Sequence, residues 1–322
     1  NFTIEEIFTR TGQPEVAATW PATKILWLRK NEKHIFEKTS KYLLVGDYIN
    51  YKLTGKYVTD KSLISSTLYF NIRNGKWWKE ILDYIGITDE QLPYIEASGV
   101  QIGGLTDEAV RETGLSKNTI VVTGALDQMA GAIGAGNISP YVISESTGTC
   151  LAVCVNIQNP IPYNEQYHIP CHCNALSCCI TSLGQSSSNS YYNQDILSNY
   201  SNQYSQYSLL FWSQTAGVIL DWYKDNFYKR YEKMNDNDDC NSSSSDKYNK
   251  NSESFQYIDY EAANINPGSD GLILLPHFSG SAVPHFNPKA KGVFFGVDLK
   301  HTKAHFSRAI MEAVGFMLRE HI

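Results

Sequence analysis

The chain has 322 residues, a length that accommodates roughly two domains, and its 42% hydrophobic content supports ordinary globular cores. Lys and Arg number 27 against 33 Asp and Glu, and the resulting charge of −6 argues against a protein that grips nucleic acid by neutralising phosphates. No apolar run approaches transmembrane length, and Asn1-Phe2-Thr3-Ile4 does not begin a signal peptide.

Residues 1–20 carry no long periodic pattern. Pro21-Ala22-Thr23 opens a helix with Ile25, Leu26, Trp27 and Leu28, ending near Lys33. Tyr42 to Leu53 repeats the helical spacing and meets Gly55, a stop signal. Leu68-Tyr69-Phe70 leads into the turn Asn74-Gly75. Trp77 to Tyr84 is amphipathic and ends at Gly86, and Thr88-Asp89-Glu90 caps a short helical turn. Gly103-Gly104 predicts a turn, and Thr106 to Gly114 a short helix.

The next stretch, Asn118 to Val155, organises the rest. Ile120-Val121-Val122 is a β-branched run that predicts a buried strand, and Asp127 falls where that strand gives way to a helix of small residues. Val142-Ile143 and Leu151-Ala152-Val153 predict two strands joined by the turn Ser146-Thr147-Gly148-Thr149. Backbone N–H groups and threonine hydroxyls in such a turn suit a phosphate oxygen. An aspartate that takes a hydroxyl proton while a turn holds the transferring phosphate is the arrangement of phosphoryl transfer to an alcohol. A lone aspartate at a strand end is also a common helix cap or solvated carboxylate.

Beyond Val155, Tyr167 to Pro170 and Ala175 to Ser182 read as extended, and Phe211 to Phe227 as an amphipathic helix. Leu272 to Leu275 and Gly292 to Leu299 read as strands around the loop Gly280 to Pro288, and His301 to His321 as a helix. Gln185 to Ser208 and Lys233 to Ser254 are poor in apolar residues and read as low-complexity inserts. The seven cysteines do not fit paired zinc knuckles, so free thiols in a reducing, cytoplasmic setting are expected. The phosphate loop Gly-x-x-x-x-Gly-Lys-Ser/Thr, the Gly-x-Gly-x-x-Gly fingerprint, the His-Glu-x-x-His helix and the Gly-x-Ser-x-Gly elbow are all absent.

"TGALDQMAGAIGAG" followed by "SESTGTCLAV" resembles the FGGY carbohydrate kinases, a family that includes xylulose, glycerol and gluconate kinases. "DYINYKLTGKYVTDKSLISSTLYFN" resembles the part of the family's first domain just before the catalytic strand. "SGSAVPHFNPKAKGVFFGV" with "HTKAHFSRAIMEAVGFMLRE" resembles its second-domain signature. Several motifs in family order are more specific than any one of them.

The resemblance implies an α/β fold of two actin-like, ribonuclease H-like domains flanking a cleft, the first domain incomplete. Residues 1–136 would close the first domain and residues 141–322 form a truncated second. It implies ATP-dependent phosphorylation of a sugar or polyol, with a ketopentose such as xylulose favoured and Mg²⁺ beside the nucleotide. Asp127 matches the catalytic base, and Gln128 a neighbour of the polyol. Trp20 falls near a substrate-wall position. Gly148 and Thr149 match the turn on the nucleotide's phosphates, and Gly217 and Asp221 positions along the nucleotide. His277, His285, Arg308 and Glu312 lie in recognisable motifs, with packing and hydrogen bonding as their favoured role. Neither nucleic acid nor membrane is expected as a partner, and a homodimer is left open.

The family's opening Asp-x-Gly-Thr/Ser turn and its glycine-rich adenosine motif are absent, and the chain opens on Asn rather than Met. The expectation is the middle of a kinase, inactive as an isolated piece. A glycerol or other polyol kinase, and a non-catalytic degenerate paralogue, are the alternatives.

Overall fold

The structure is a computed structural model that describes residues 2–175, 206–228 and 255–322. By contact density the chain falls into two compact units, residues 1–144 with 154–210 and residues 145–153 with 211–322.

The first unit opens on α1 (Ile4–Thr11), inside a stretch where periodicity predicts nothing. Its ends explain it. The Thr3 hydroxyl accepts the Glu6 N–H at 3.1 Å, and Gly12 closes the helix at φ 73° with its N–H on the Phe8 carbonyl. A Cβ at Gly12 would also lie 1.9 Å from the Cys171 carbonyl, so only glycine fits. The helix expected from Pro21 to near Lys33 is α2 (Pro21–Asn31), a further short helix α3 (Lys33–Lys38) follows it, and α4 (Val45–Thr54) ends at Gly55 as expected. Trp78, Ile81, Leu82 and Ile85, on or beside α6 (Lys79–Ile85), pack with Ile25 of α2 and with Leu68 and Tyr69 in the first core.

Short β pairs punctuate these helices. Strand β1 (Val58–Asp60) pairs in parallel with β4 (Tyr94–Glu96), and β2 (Phe70–Asn71) antiparallel with β3 (Lys76–Trp77). Between the first two lies α5 (Lys61–Ile64). Gly103-Gly104, expected as a turn, belongs to strand β5 (Gln101–Gly104), which pairs antiparallel with β6 (Ile120–Val122) across an irregularity between Gln101 and Gly103. Helix α7 (Asp107–Thr113) runs between these two strands, capped by the Thr106 hydroxyl. The Ile120–Val122 run is a strand as expected but not a buried one. Only Val121 is buried, and Ile120 and Val122 remain 58% and 49% exposed on the outer face of this two-stranded pair.

Helix α8 (Asp127–Gly134) follows. Strands β7 (Ile143–Thr147), β8 (Leu151–Ile157), β9 (Cys171–Cys173) and β10 (Tyr207–Ser213) form a sheet in the order β7-β8-β10-β9. Ser208 faces His172 across the β9–β10 ladder. Phe211 to Ser213, expected in the helix that follows, belong to β10, since the apolar and aromatic run Leu209 to Trp212 suits a strand that lies between β8 and β9 in the sheet. Of the first low-complexity stretch, Tyr207 and Ser208 lie in this strand, Gln206 precedes it, and the rest is outside the described residues, as is Lys233 to Ser254.

A sealed polar network ties the first unit together. Asn156 donates to the Asn137 carbonyl and side-chain oxygens, each at 2.8 Å. Its own Oδ1 accepts from Asn174 and from Ser208, also at 2.8 Å. None of the four side chains is more than 2% exposed. Buried amides survive only when satisfied in this way.

In the second unit, α9 (Gly217–Phe227) packs Ile219 and Tyr223 against Ile258, Leu274 and Ile310. Strand β11 (Ile273–Leu275) pairs antiparallel with β12 (Val293–Phe295), and α10 (Lys303–His321) supplies Ile310 and Ala313 to the core. Ile273, Leu275, Val293 and Phe295 share the outer face of the β11–β12 pair and stay exposed.

Candidate functional site

Asp127 is the first residue of α8, so its carboxylate sits at the positive end of the helix dipole. Its Oδ1 accepts the Gln128 backbone N–H at 2.8 Å. Its other oxygen has no hydrogen bond among the described residues, and the side chain is exposed. Met129 and Ala132 anchor the helix against Cys154 and Ala175. Gly131 and Gly134 lie away from that contact, since a Cβ at either would meet nothing within 4 Å.

The chain just before Asp127 is fixed by contacts that the sequence motifs did not single out. Asp60, 2% exposed, ends β1 and caps α5. Its Oδ1 accepts the Ser62 and Leu63 N–H groups at 3.0 and 3.1 Å, the Ser98 hydroxyl at 2.9 Å, and the Ser62 hydroxyl. The Ser62 hydroxyl in turn accepts the N–H of Leu126 at 2.9 Å. Thr123 adds a second clasp, its hydroxyl donating to the Ala97 carbonyl and accepting the Val100 N–H. Asp60-x-Ser62 is a local capping signal; its reach to residue 126 has no local signal.

Gln128 is half-buried next to Asp127. Trp20 caps α2 at the edge of the first core, where its indole N–H is buried without a partner.

The expected turn is narrower than its sequence suggests. Ser146 and Thr147 belong to β7, leaving Gly148, Thr149 and Cys150 between the strands. The Gly148 N–H is spent on the Cys150 carbonyl at 2.9 Å. The first N–H groups of α9 are spent as well: Gly217 donates to Gly148 O at 2.9 Å and Val218 to Thr149 O at 3.4 Å, with Ala216 on the same Thr149 oxygen at 3.0 Å. The Thr149 N–H and hydroxyl have no hydrogen bond among the described residues, and both turn residues are exposed. A Cβ at Gly148 would meet nothing within 4 Å, so the outer surface of the turn is open.

Gly148, Thr149 and Gly217 are therefore brought together by backbone bonds. Asp221, one turn along α9, is 57% exposed and pairs with Lys224 at 3.3 Å. Arg308 donates to Glu312 at 2.8 Å, and Glu312 also accepts from Gly268 N–H and the Ser269 hydroxyl. Burial pushes the Glu312 carboxyl up, but these donors outweigh it and hold the carboxyl below its usual range. His285 contacts Glu320 at 3.0 Å. Arg308, Glu312 and His285 thus make the packing and hydrogen-bonding contacts expected of them.

Cys154, Cys171 and Cys173 are buried free thiols and Cys150 an exposed one; Cys178, Cys179 and Cys240 lie outside the described residues. Burial pushes the Cys154 thiol up to about 11 and Cys171 up to about 12, so both are inert. Among the described residues no three His, Cys, Asp or Glu side chains gather as a metal site, and no helix is long and apolar enough to cross a membrane.

Residues 1–134 match the N-terminal domain and residues 196–322 the C-terminal domain of the FGGY family of carbohydrate kinases. The chain belongs to that family. It is 28% identical to the xylulose kinase of Lactococcus lactis over 98% of its own length and 54% of the relative's. With the gluconokinase of Bacillus subtilis it shares 27% identity over 97% of its length and 53% of the relative's. Its fold matches the crystal structure of xylulose kinase from Rhodospirillum rubrum with a TM-score of 0.76 at 22% identity, covering 99% of this chain and 55% of that one. The chain thus spans about half the length of the curated relatives it matches, and its fold is the α/β fold of these kinases.

Proposed function

We propose that the protein carrying this chain is an ATP-dependent kinase of a sugar or polyol hydroxyl, with a ketopentose of the xylulose type as the favoured acceptor. The observation that carries the proposal is the Asp127 carboxylate, with one oxygen fixed by the Gln128 N–H and the other open at a helix start. Family membership and the relatives' names support the reaction class. In this reading residues 1–136 belong to the first family domain and residues 141–322 to the second.

Asp127 takes the proton of the acceptor hydroxyl as that oxygen bonds to the transferring phosphorus, and the broken phosphorus–oxygen bond leaves its electron pair on ADP. Gln128 contacts the acceptor beside it, and Trp20 forms part of its wall. The Thr149 N–H and hydroxyl hold phosphate oxygens, and Gly217 keeps the turn in place for them. Asp221 lies further along the nucleotide. ATP would supply the phosphoryl group, with Mg²⁺ offsetting the negative charge of its phosphates. Free thiols among the described cysteines support a cytoplasmic setting.

A panel of ketoses and polyols with ATP and Mg²⁺, run on the full-length protein, tests the proposal. Asp127→Ala is expected to abolish acceptor-dependent ADP production while the fold survives. Turnover retained in that variant sinks the role given to Asp127, and no turnover of any acceptor by the parent favours a non-catalytic paralogue.

A further inference from the structure

We infer that Ser62, held by Asp60, is a positioning residue for Asp127, an assignment that rests on the base role proposed above. The Ser62 hydroxyl has one proton and gives it to Asp60 Oδ1. Its lone pairs are thereby oriented, and it accepts the Leu126 N–H at 2.9 Å. Leu126 is the N-cap of α8, with φ −56° and ψ 131°, and the next backbone unit is Asp127 itself. The bond therefore fixes the peptide plane from which the chain enters α8 at Asp127.

Three things make this more than an ordinary cap. Ser62 is 0% exposed and Asp60 2%, so water does not compete for either bond. The Asp60 oxygen is held from four donors on two separate segments, which leaves the hydroxyl of Ser62 little freedom to turn. And the link joins residues 62 and 126, across the distance in sequence that separates the end of β1 from the start of α8. Positioning of this kind matters because a proton acceptor works only within hydrogen-bond reach of the proton it removes, and a displacement of about 1 Å lowers turnover by roughly a hundredfold.

Ser98 provides the control. Its hydroxyl donates to the same Asp60 oxygen at 2.9 Å and lies 3.4 Å from the Ser62 hydroxyl, while the bond to the Leu126 N–H is made by Ser62. Ser62→Ala in the full-length protein is expected to lower kcat by about ten- to a hundredfold with the acceptor KM within about threefold of the parent. Hydrogen exchange in a peptide spanning residues 124–129 is expected to speed up about tenfold. Ser98→Ala removes one donor to Asp60 but keeps the Ser62–Leu126 bond, and is expected to lower kcat and speed that peptide's exchange by clearly less than Ser62→Ala does. Should Ser62→Ala fail to fold, Ser62→Cys, which keeps the volume and offers a poor acceptor, reads the same outcomes.

Parent-like kcat and exchange in the Ser62 variant overturn the inference, and so do equal losses in the Ser62 and Ser98 variants. Asp127→Ala, run in parallel, separates the two levels. An active Asp127→Ala enzyme brings down the base assignment. An inactive one beside an active Ser62 variant brings down only the role of Ser62.

Discussion

Gly217 gives its backbone N–H to the carbonyl of Gly148 at 2.9 Å, and a Cβ in its place would come within 2.5 Å of that same oxygen. The start of α9 and the turn before β8 are in contact at the closest approach that backbone allows. Gly217→Ala is expected to push the turn outward, with a destabilisation of roughly 1–3 kcal/mol. In the full-length protein it is expected to raise the KM for ATP at least about tenfold, because the open Thr149 N–H moves with the turn. Unfolding midpoints and steady-state kinetics check both, and a parent-like KM for ATP separates Gly217 from nucleotide binding.

Asp47 lies at the other extreme of exposure, at 1%. Its Oδ2 accepts the Leu44 N–H at 2.9 Å, but burial dominates and pushes its carboxyl from an ordinary 3.8 up to about 6. The folded state therefore holds the proton more tightly than the unfolded chain. The resulting stabilisation is full below pH 3.8 and is lost as pH rises through 6, a loss of roughly 1–3 kcal/mol. Asp47→Asn is expected to raise the unfolding midpoint relative to the parent at pH 7.5 by more than at pH 4. An equal difference at the two values would mean that Asp47 is ionised in the fold without cost.

His172 runs the opposite way. It is 2% exposed, its Nε2 lies 3.2 Å from the Gln13 amide nitrogen, and its Nδ1 has no partner. Since Gln13 also donates to the Ser65 carbonyl, its nitrogen is the donor and the imidazole is neutral with its proton on Nδ1. Burial lowers the imidazole from 6.5 to about 4. Its stabilisation is full above pH 6.5 and is lost as pH falls through 4, again roughly 1–3 kcal/mol. His172→Gln is expected to lose less stability than the parent between pH 7 and pH 4, measured by denaturant midpoints. A parent-like acid loss would assign it to other groups. Between pH 4 and 6 the Asp47 and His172 effects oppose each other, so the parent's own profile is expected to be shallow there.

What the sequence makes legible follows local physics. The ends of α2, α4 and α7 are written in Pro21, Gly55, Thr106 and Gly114, and the Asp127 and Gly148-Thr149 motifs stand out without any fold. Helix α1 was equally legible, since Thr3 and Gly12 bracket it, but its short apolar face gives no long period. Strand β5 hides behind Gly103-Gly104, a pair that punctuates turns more often than ladders. The start of β10 hides in low-complexity composition. The turn residues were found, yet which of their N–H groups are already spent depends on α9 arriving from 68 residues downstream of Thr149. For the same reason the reach of Ser62 to the Leu126 N–H is not legible until β1 and α8 are placed.

The ring of Asn137, Asn156, Asn174 and Ser208 has a consequence for how the strands find their alignment. A shift of β8 by one residue would turn Asn156 to the opposite face and put an apolar neighbour in its place. The bonds that Asn156 makes to Asn137, Asn174 and Ser208 would then all be lost. Hydrophobic contacts along Leu151, Val153 and Ile157 tolerate sliding far better than these bonds do. The ring thus serves as the key to a lock with one notch: it adds little net attraction and makes every neighbouring alignment expensive.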